Sequence, residues 1–247
     1  NFLVIAAYQI IMRTGWIFKT ESIVMPAVLD SIAGQGWIRG WLPLLNRIGH
    51  SFAPLFLARR VKVSRRKKWI LVTSASLMSL LFFLLGFLFA GSGGQRSWMQ
   101  LAFLGIYAGF FMCNGVSQLA FGTLQGKLVA TTARGRLLLV STTVGAVTAV
   151  CCAFLLLPAW LQHAAPRFDL IFGFSGAMFA VSALAVAFLV ERPDNYQEPV
   201  KHLAESVHRA LSGAWAAWRD DANFRRLSIV GAMFGSSIML FPHYQNL

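Results

Sequence analysis

Long apolar runs alternate with short polar segments along this chain of 247 residues. Four of the runs contain no Lys, Arg, Asp or Glu: Trp69 to Gln95, Ser97 to Gly126, Leu137 to Pro166 and Leu170 to Val190. A helix needs about 20 apolar residues to cross the ~30 Å hydrocarbon core of a bilayer. A helix on the surface of a soluble domain keeps a charged or polar face, and these runs have no charged position. The pattern therefore predicts an all-α membrane protein with seven spans, near 2–28, 38–57, 69–90, 98–124, 137–160 and 168–190, and one beginning near Leu227. The chain opens on Asn1 rather than Met and stops within an apolar run, so it reads as a fragment, with no cleavable signal peptide.

The loops give an orientation. Arg59, Arg60, Lys62, Arg65, Arg66, Lys67 and Lys68 follow the second span. Lys127, Arg134 and Arg136 follow the fourth, and Arg192, Lys201, Arg209, Arg219, Arg225 and Arg226 follow the sixth. The alternate loops hold Arg39, Arg96 and Arg167. The positive-inside bias places the first set, and Asn1 with it, in the cytoplasm. The segment 191–226 is a linker of another kind. After Pro193 and Pro199, the residues Leu203, Val207, Ala210, Leu211, Ala214 and Trp218 recur at helical spacing, which predicts an amphipathic helix of about five turns. That helix is expected along the inner membrane surface, under the bundle, or simply joining two parts.

Composition narrows the function. Hydrophobic residues make up 57% and charged residues 13%, with mean hydropathy +0.61. The net charge of +13 lies in loops between apolar runs, as topology signals do, so no nucleic-acid partner is expected. Cys113, Cys151 and Cys152 lie within apolar runs and read as small fillers. The P-loop pattern Gly-x-x-x-x-Gly-Lys-[Ser/Thr] is absent, as are metal-ligand spacing and a nucleophile elbow. No cofactor, metal or catalytic residue is expected, and the chain does not read as an enzyme. A faint echo links Asn1-Phe2 to Asn223-Phe224, each followed by an apolar run and a Pro about 20 residues on, Pro26 and Pro242.

Six spans, a long linker with an amphipathic helix and a restart of the pattern resemble the major facilitator superfamily. The loop after the second span, Ala58-Arg59-Arg60-Val61-Lys62-Val63-Ser64-Arg65-Arg66-Lys67-Lys68, matches the basic ending of that family's Gly-x-x-x-Asp-Arg-x-Gly-Arg-Arg signature. Its Asp and both Gly are missing here, so the gating role of that Asp does not carry over. Arg134-Gly135-Arg136 is similar to the family's Arg-Gly-Arg entry to the fifth helix. The resemblance implies a twelve-helix fold of two six-helix halves, each a 3+3 repeat. This chain would supply a six-helix bundle over 1–190, a cytoplasmic linker over 191–226 and the start of a second bundle over 227–247. It also implies a multi-pass transporter of the cell inner membrane that moves a small solute by rocking of the bundles. Arg59, Arg60, Arg65, Arg66, Lys67 and Lys68 would form its cytoplasmic gate loop.

Polar residues inside the spans carry the candidate chemistry. An Arg at a helix centre costs about 2.5–3.5 kcal/mol on insertion scales, so Arg13 and Arg47 are expected to face a watery cavity. Asn46 and His50 share a face of the second span, and Asn114 and Gln118 share one of the fourth. Before Asp169 the acids are Glu21 and Asp30 alone, and Asp30 is expected in an outer loop. The excess positive charge suits an anionic solute held by the forked guanidinium groups. Alternatives stand beside each reading. Either Arg can snorkel to an interface or bond backbone carbonyls, and Asn114 and Gln118 can bond across helices. Glu21 and His50 are candidates for coupling to protons, yet Glu21 can pair with Lys19 and His50 can be a hydrogen-bonded core residue. Gly105-x-x-x-Gly109, Gly122-x-x-x-Gly126 and Ser141-x-x-x-Gly145-x-x-x-Ala149 are expected at close helix contacts, and Pro26, Pro158 and Pro242 at bends or ends. A secondary transporter fits best. An intramembrane transferase using His50 and Arg47, or a scaffold or sensor working through the linker helix, are the rivals.

Overall fold

A computed structural model of the protein describes residues 1–20, 24–33, 36–92, 97–161, 166–194 and 203–244. Every regular element among them is helical: α1 (Phe2–Ile17), α2 (Val24–Ala33), a 3-10 turn (Gly36–Gly40), α3 (Trp41–Val63), α4 (Lys67–Ser92), α5 (Ser97–Leu128), α6 (Thr131–Leu161), α7 (Phe168–Ala187), α8 (Leu203–Asp220) and α9 (Ala222–Tyr244). Helices satisfy their own backbone hydrogen bonds, which hydrocarbon requires. Four are long and apolar enough to cross a membrane, over Lys67–Gly91, Trp98–Leu128, Thr131–Leu161 and Phe168–Ala187. They carry the four uncharged runs. Their outward side chains include Phe87, Leu101, Leu139, Phe154 and Leu155, all exposed, as expected of surface that meets lipid.

The first two expected spans differ from the prediction. Residues 2–28 do not form one helix. α1 stops at Ile17, where the Lys19 N–H bonds the Trp16 carbonyl at 3.1 Å, and α2 begins at Val24. Pro26 lies in the first turn of α2, where a missing N–H costs no helical bond. α3 runs to Val63, so Arg59, Arg60 and Lys62 belong to its last turns, and Lys67 and Lys68 open α4; only 64–66 join the two helices. α3 carries too many polar side chains to rank with the four apolar helices. α6 continues through Pro158 to Leu161.

The bundle has a simple pairing. α4 packs along α7, α3 along α5, α4 along α5, and α1 along both α6 and α7. The consecutive helices α3 and α4 scarcely touch, nor do α6 and α7. An aromatic cluster fills the centre. Phe82 of α4 lies 4.6 Å from Phe110 of α5 and 5.3 Å from Phe179 of α7, ring to ring.

Small residues set the crossings, but not all those expected. On α6 the buried stripe contains Ser141, Gly145 and Ala149, and a Cβ on Gly145 would meet Arg13 Cδ of α1 at 2.9 Å. On α5 the working glycine is Gly115. A Cβ there would meet Gly49 O of α3 at 2.9 Å, Pro54 Cδ at 3.0 Å and His50 O at 3.1 Å. Gly49 is equally tight from the other side, against Phe111 C at 2.8 Å. Gly105 and Gly122 have nothing within 4 Å, Gly109 meets only Leu81 Cδ1 at 3.6 Å, and Gly126 only an Arg134 nitrogen at 4.0 Å. The expectation of tight packing at these four positions is therefore corrected. Their spacing is right, but Gly105 and Gly122 face open space and the other two meet only the ends of side chains.

One end of the bundle gathers the basic loops. Asn1 exchanges two hydrogen bonds with the Val190 backbone, at 2.9 and 3.1 Å. The buried Glu191 carboxylate accepts the backbone N–H groups of Lys67 and Lys68 at 3.1 and 2.8 Å and pairs with Lys127 Nζ at 3.0 Å. It caps the α4 N-terminus, where the helix dipole favours an anion. Asp194 pairs with Lys67 and, at 2.9 Å, with Lys127. Those ammonium groups, Lys67 foremost, hold the Asp194 carboxyl below the usual carboxylate range. At the opposite end Arg39 pairs with Asp30 and Arg167 with Asp169, at 2.5 and 2.9 Å.

α8 forms where the periodicity predicts it. Its Leu211, Trp215 and Trp218 are exposed, and the two indoles stack at 5.4 Å. α9 leans on α3 and on the 3-10 turn.

Candidate functional site

The candidate site lies along α5, where α3 crosses it and a side chain from just past α1 reaches it. His50 sits ~14 Å from the start of α3 and ~20 Å from its end, at 1.5 Å per residue. Its Nε2 lies 2.8 Å from Asn114 Nδ2 across the α3–α5 crossing. Gly49 and Gly115, each beside one of the pair, bring the two backbones close enough for that bond. Asn114 is fully buried, and its Oδ1 has no hydrogen-bond partner among the described residues. An orphan buried acceptor costs about 1–3 kcal/mol, so Oδ1 is an acceptor at this crossing still open to a donor.

Lys19 is the second component. It lies in the break after α1, is only 2% exposed, and its ammonium lies 4.0 Å from the ring centres of both Trp16 and Phe111. Phe110 and Tyr107 stand at 5.4 and 5.7 Å. Four ring faces around one ammonium make a cation–π box, worth about 2 kcal/mol or more when desolvated. The negative end of the α1 dipole also favours a cation there. Phe111 joins the two components, because the His50 ring also lies against it, at 5.4 Å. Lys19 and His50 thus flank one phenyl ring, and Asn114 bonds the His50 side.

The other predicted residues fall elsewhere. Arg13 lies on the exposed side of α1 with its stem against Gly145 of α6. Arg47 is exposed on α3, its guanidinium beside Gly235 of α9. It turns to α9 while His50 turns to α5. Asn46 is half-buried on α3. Gln118 is exposed, although Asn114 one turn away is buried, so the two do not share one environment. Asn114 bonds across helices, to His50 of α3. Glu21 lies outside the described residues. Arg59, Arg60, Arg65, Arg66, Lys67 and Lys68 line the end that Glu191 and Asp194 fasten.

Four buried polar residues of the structure are not among the candidates that the sequence singles out. Lys19 entered only as a neighbour of Glu21, although Trp16 at i−3 and the Tyr107, Phe110, Phe111 group were visible signals. Tyr8 of α1 and Ser117 of α5 share a buried hydrogen bond of 3.0 Å. Glu191, the first charge after a long neutral run, carried a weaker signal for its capping role.

No protein-family model, no curated protein and no solved structure matches this chain.

Proposed function

We propose that this chain forms a six-helix bundle, a linker helix and the opening helix of a second bundle in a secondary transporter of the major facilitator type. The transporter moves a small anionic solute by alternating access, with the basic end of the bundle and Asn1 in the cytoplasm. The observation that carries this reading is the helix pairing. Take α1 with α2, α3 and α4 as one triplet of spans and α5, α6 and α7 as a second. Exchanging the triplets turns the α1–α6 contact into α5–α3 and α1–α7 into α5–α4, and leaves α4–α7 unchanged. The two slight contacts, α3–α4 and α6–α7, exchange as well. Internal repeats of this kind are how many transporters build a central site that opens to either side.

The polar cluster supplies a route to coupling. A neutral His50 with an unprotonated Nε2 accepts from the Asn114 amide NH2, which leaves Oδ1 as the orphan. A protonated His50 donates from Nε2 and needs the amide oxygen instead. The amide then turns, and its NH2 faces where Oδ1 had been. One proton thus exchanges an acceptor for a donor at a buried position, which favours an anion. Proton and anion binding then assist each other, and the linkage is reciprocal. Lys19 keeps the region positive, and Arg13 and Arg47 on the exposed flanks extend that field toward the solute.

The test is uptake into proteoliposomes, screened across small carboxylates and phosphates with and without a pH gradient. An inward proton gradient is expected to accelerate uptake. His50→Gln retains a hydrogen bond but cannot titrate, and is expected to abolish the response to the gradient. Arg13→Gln with Arg47→Gln is expected to raise KM several-fold. Unchanged uptake kinetics in that double variant would remove the anion from the reading.

A further inference from the structure

α3 and α4 are joined by three residues yet scarcely touch, because each packs instead along α5. The wedge between them is a cavity of about 320 Å³, floored by Met112 and Val116 of α5 and walled by Leu57 of α3 and Leu77 of α4. Its two hydroxyls are already spent. Thr73 Oγ1 donates to the Ile70 carbonyl at 3.0 Å and Ser74 Oγ to Leu71 at 3.1 Å. Apart from Arg60 the rest of the lining is almost wholly apolar, so an apolar chain would meet a wall of its own kind.

Arg60 stands at the rim. It is exposed, and its guanidinium makes no hydrogen bond or ion pair among the described residues. The nearby acids, Glu191 and Asp194, are engaged by Lys67 and Lys127, so positive charge is in excess at this end. Arg60 lies three residues before the end of α3, ~5 Å along the axis, which is headgroup depth, and the wedge runs inward from it.

We propose that the α3–α4–α5 wedge is a binding site for an anionic phospholipid from the leaflet at the basic end. One acyl chain fills the wedge and the phosphate is held by the Arg60 guanidinium, whose fork matches phosphate geometry. The exposed Leu77 and Met112 that line it belong to the apolar surface of helices long enough to cross the bilayer. Lipid is therefore the medium that reaches the opening, and charge complementarity selects the headgroup. This site is independent of the solute and coupling reading above and requires only that α4 and α5 lie in a bilayer.

The experiment uses the whole chain in proteoliposomes doped with phosphatidylglycerol bearing a photoactivatable acyl chain, or with the matching phosphatidylcholine. Cross-linked peptides are mapped after proteolysis. Labelling is expected over 70–77 and 112–116, several-fold stronger with phosphatidylglycerol. Arg60→Gln should lower that labelling to the phosphatidylcholine level, and Val116→Phe should remove it with either lipid. Arg60 is exposed, so its replacement leaves packing intact and tests the site even where Val116→Phe fails to fold. Equal labelling by both lipids that ignores Arg60→Gln, or wedge labelling no stronger than that of Leu139 and Phe154 on the outer face of α6, would overturn the proposal. So would loss of labelling to excess inorganic phosphate, which would assign Arg60 to a free anion.

Discussion

Lys19 shows how far a single side chain departs from its one-dimensional context. By composition it is one more basic residue in a strongly basic chain. In space it is among the most buried side chains, enclosed by Trp16, Phe111, Phe110 and Tyr107. Burial of an ammonium costs several kcal/mol before its partners compensate. Lys19→Met keeps the length and the ring contacts but removes both the cost and the compensation. Its thermal stability in detergent is expected to stay within about 1 kcal/mol of the parent. Solute kcat/KM is expected to fall at least about tenfold, equivalent to about 1.4 kcal/mol. A variant that melts far lower with unchanged uptake would make Lys19 a purely structural residue. The candidate residues at this scale were half legible. His50 and Asn114 stood out because polar groups are costly inside apolar runs, but their partnership was hidden, since it depends on which faces of α3 and α5 meet.

At the scale of elements, helix crossings separate glycines that look alike in sequence. Gly115→Ala is expected to destabilise by about 1–3 kcal/mol, because its Cβ would press on the α3 backbone. Gly105→Ala, with open space around it, is expected to stabilise α5 by about 0.5–1 kcal/mol. Thermal unfolding of the two variants side by side checks both. The junction that ties the basic loops to 191–194 has its own pH signature. Asp194 has a folded pKa below its ordinary value of about 3.9. It therefore adds stability above that ordinary value, and the contribution is lost as pH falls through the lowered folded value. Asp194→Asn should flatten this acid limb of a melting-temperature profile without altering it near pH 7 in shape. The break between α1 and α2 was not legible, because Phe18-Lys19-Thr20 contains neither Gly nor Pro. The stop is set by where Phe18 and Lys19 can bury, among the rings of α5 and α7.

At the scale of the whole molecule, the loops at one end hold the basic residues and those at the other hold paired Arg39 and Arg167. With the native cysteines replaced, single cysteines at Arg66 and Arg192 are expected to react with an impermeant maleimide from the same face of sealed vesicles, and one at Arg39 from the opposite face. Labelling of Arg66 and Arg192 from opposite faces would undo the arrangement of spans and the transporter reading with it. The sequence by itself determined the four long apolar helices, the amphipathic α8 and the gathering of basic charge into alternate loops. Those are one-dimensional properties, written in run length, period and charge order. The tertiary structure alone decided the break in the first span, the glycines that touch, the Lys19 box, the His50–Asn114 pair and the α3–α4 wedge. Each of these depends on the rotation of one helix about its axis relative to its neighbour, and hydrophobic runs that are apolar all round leave that rotation unwritten.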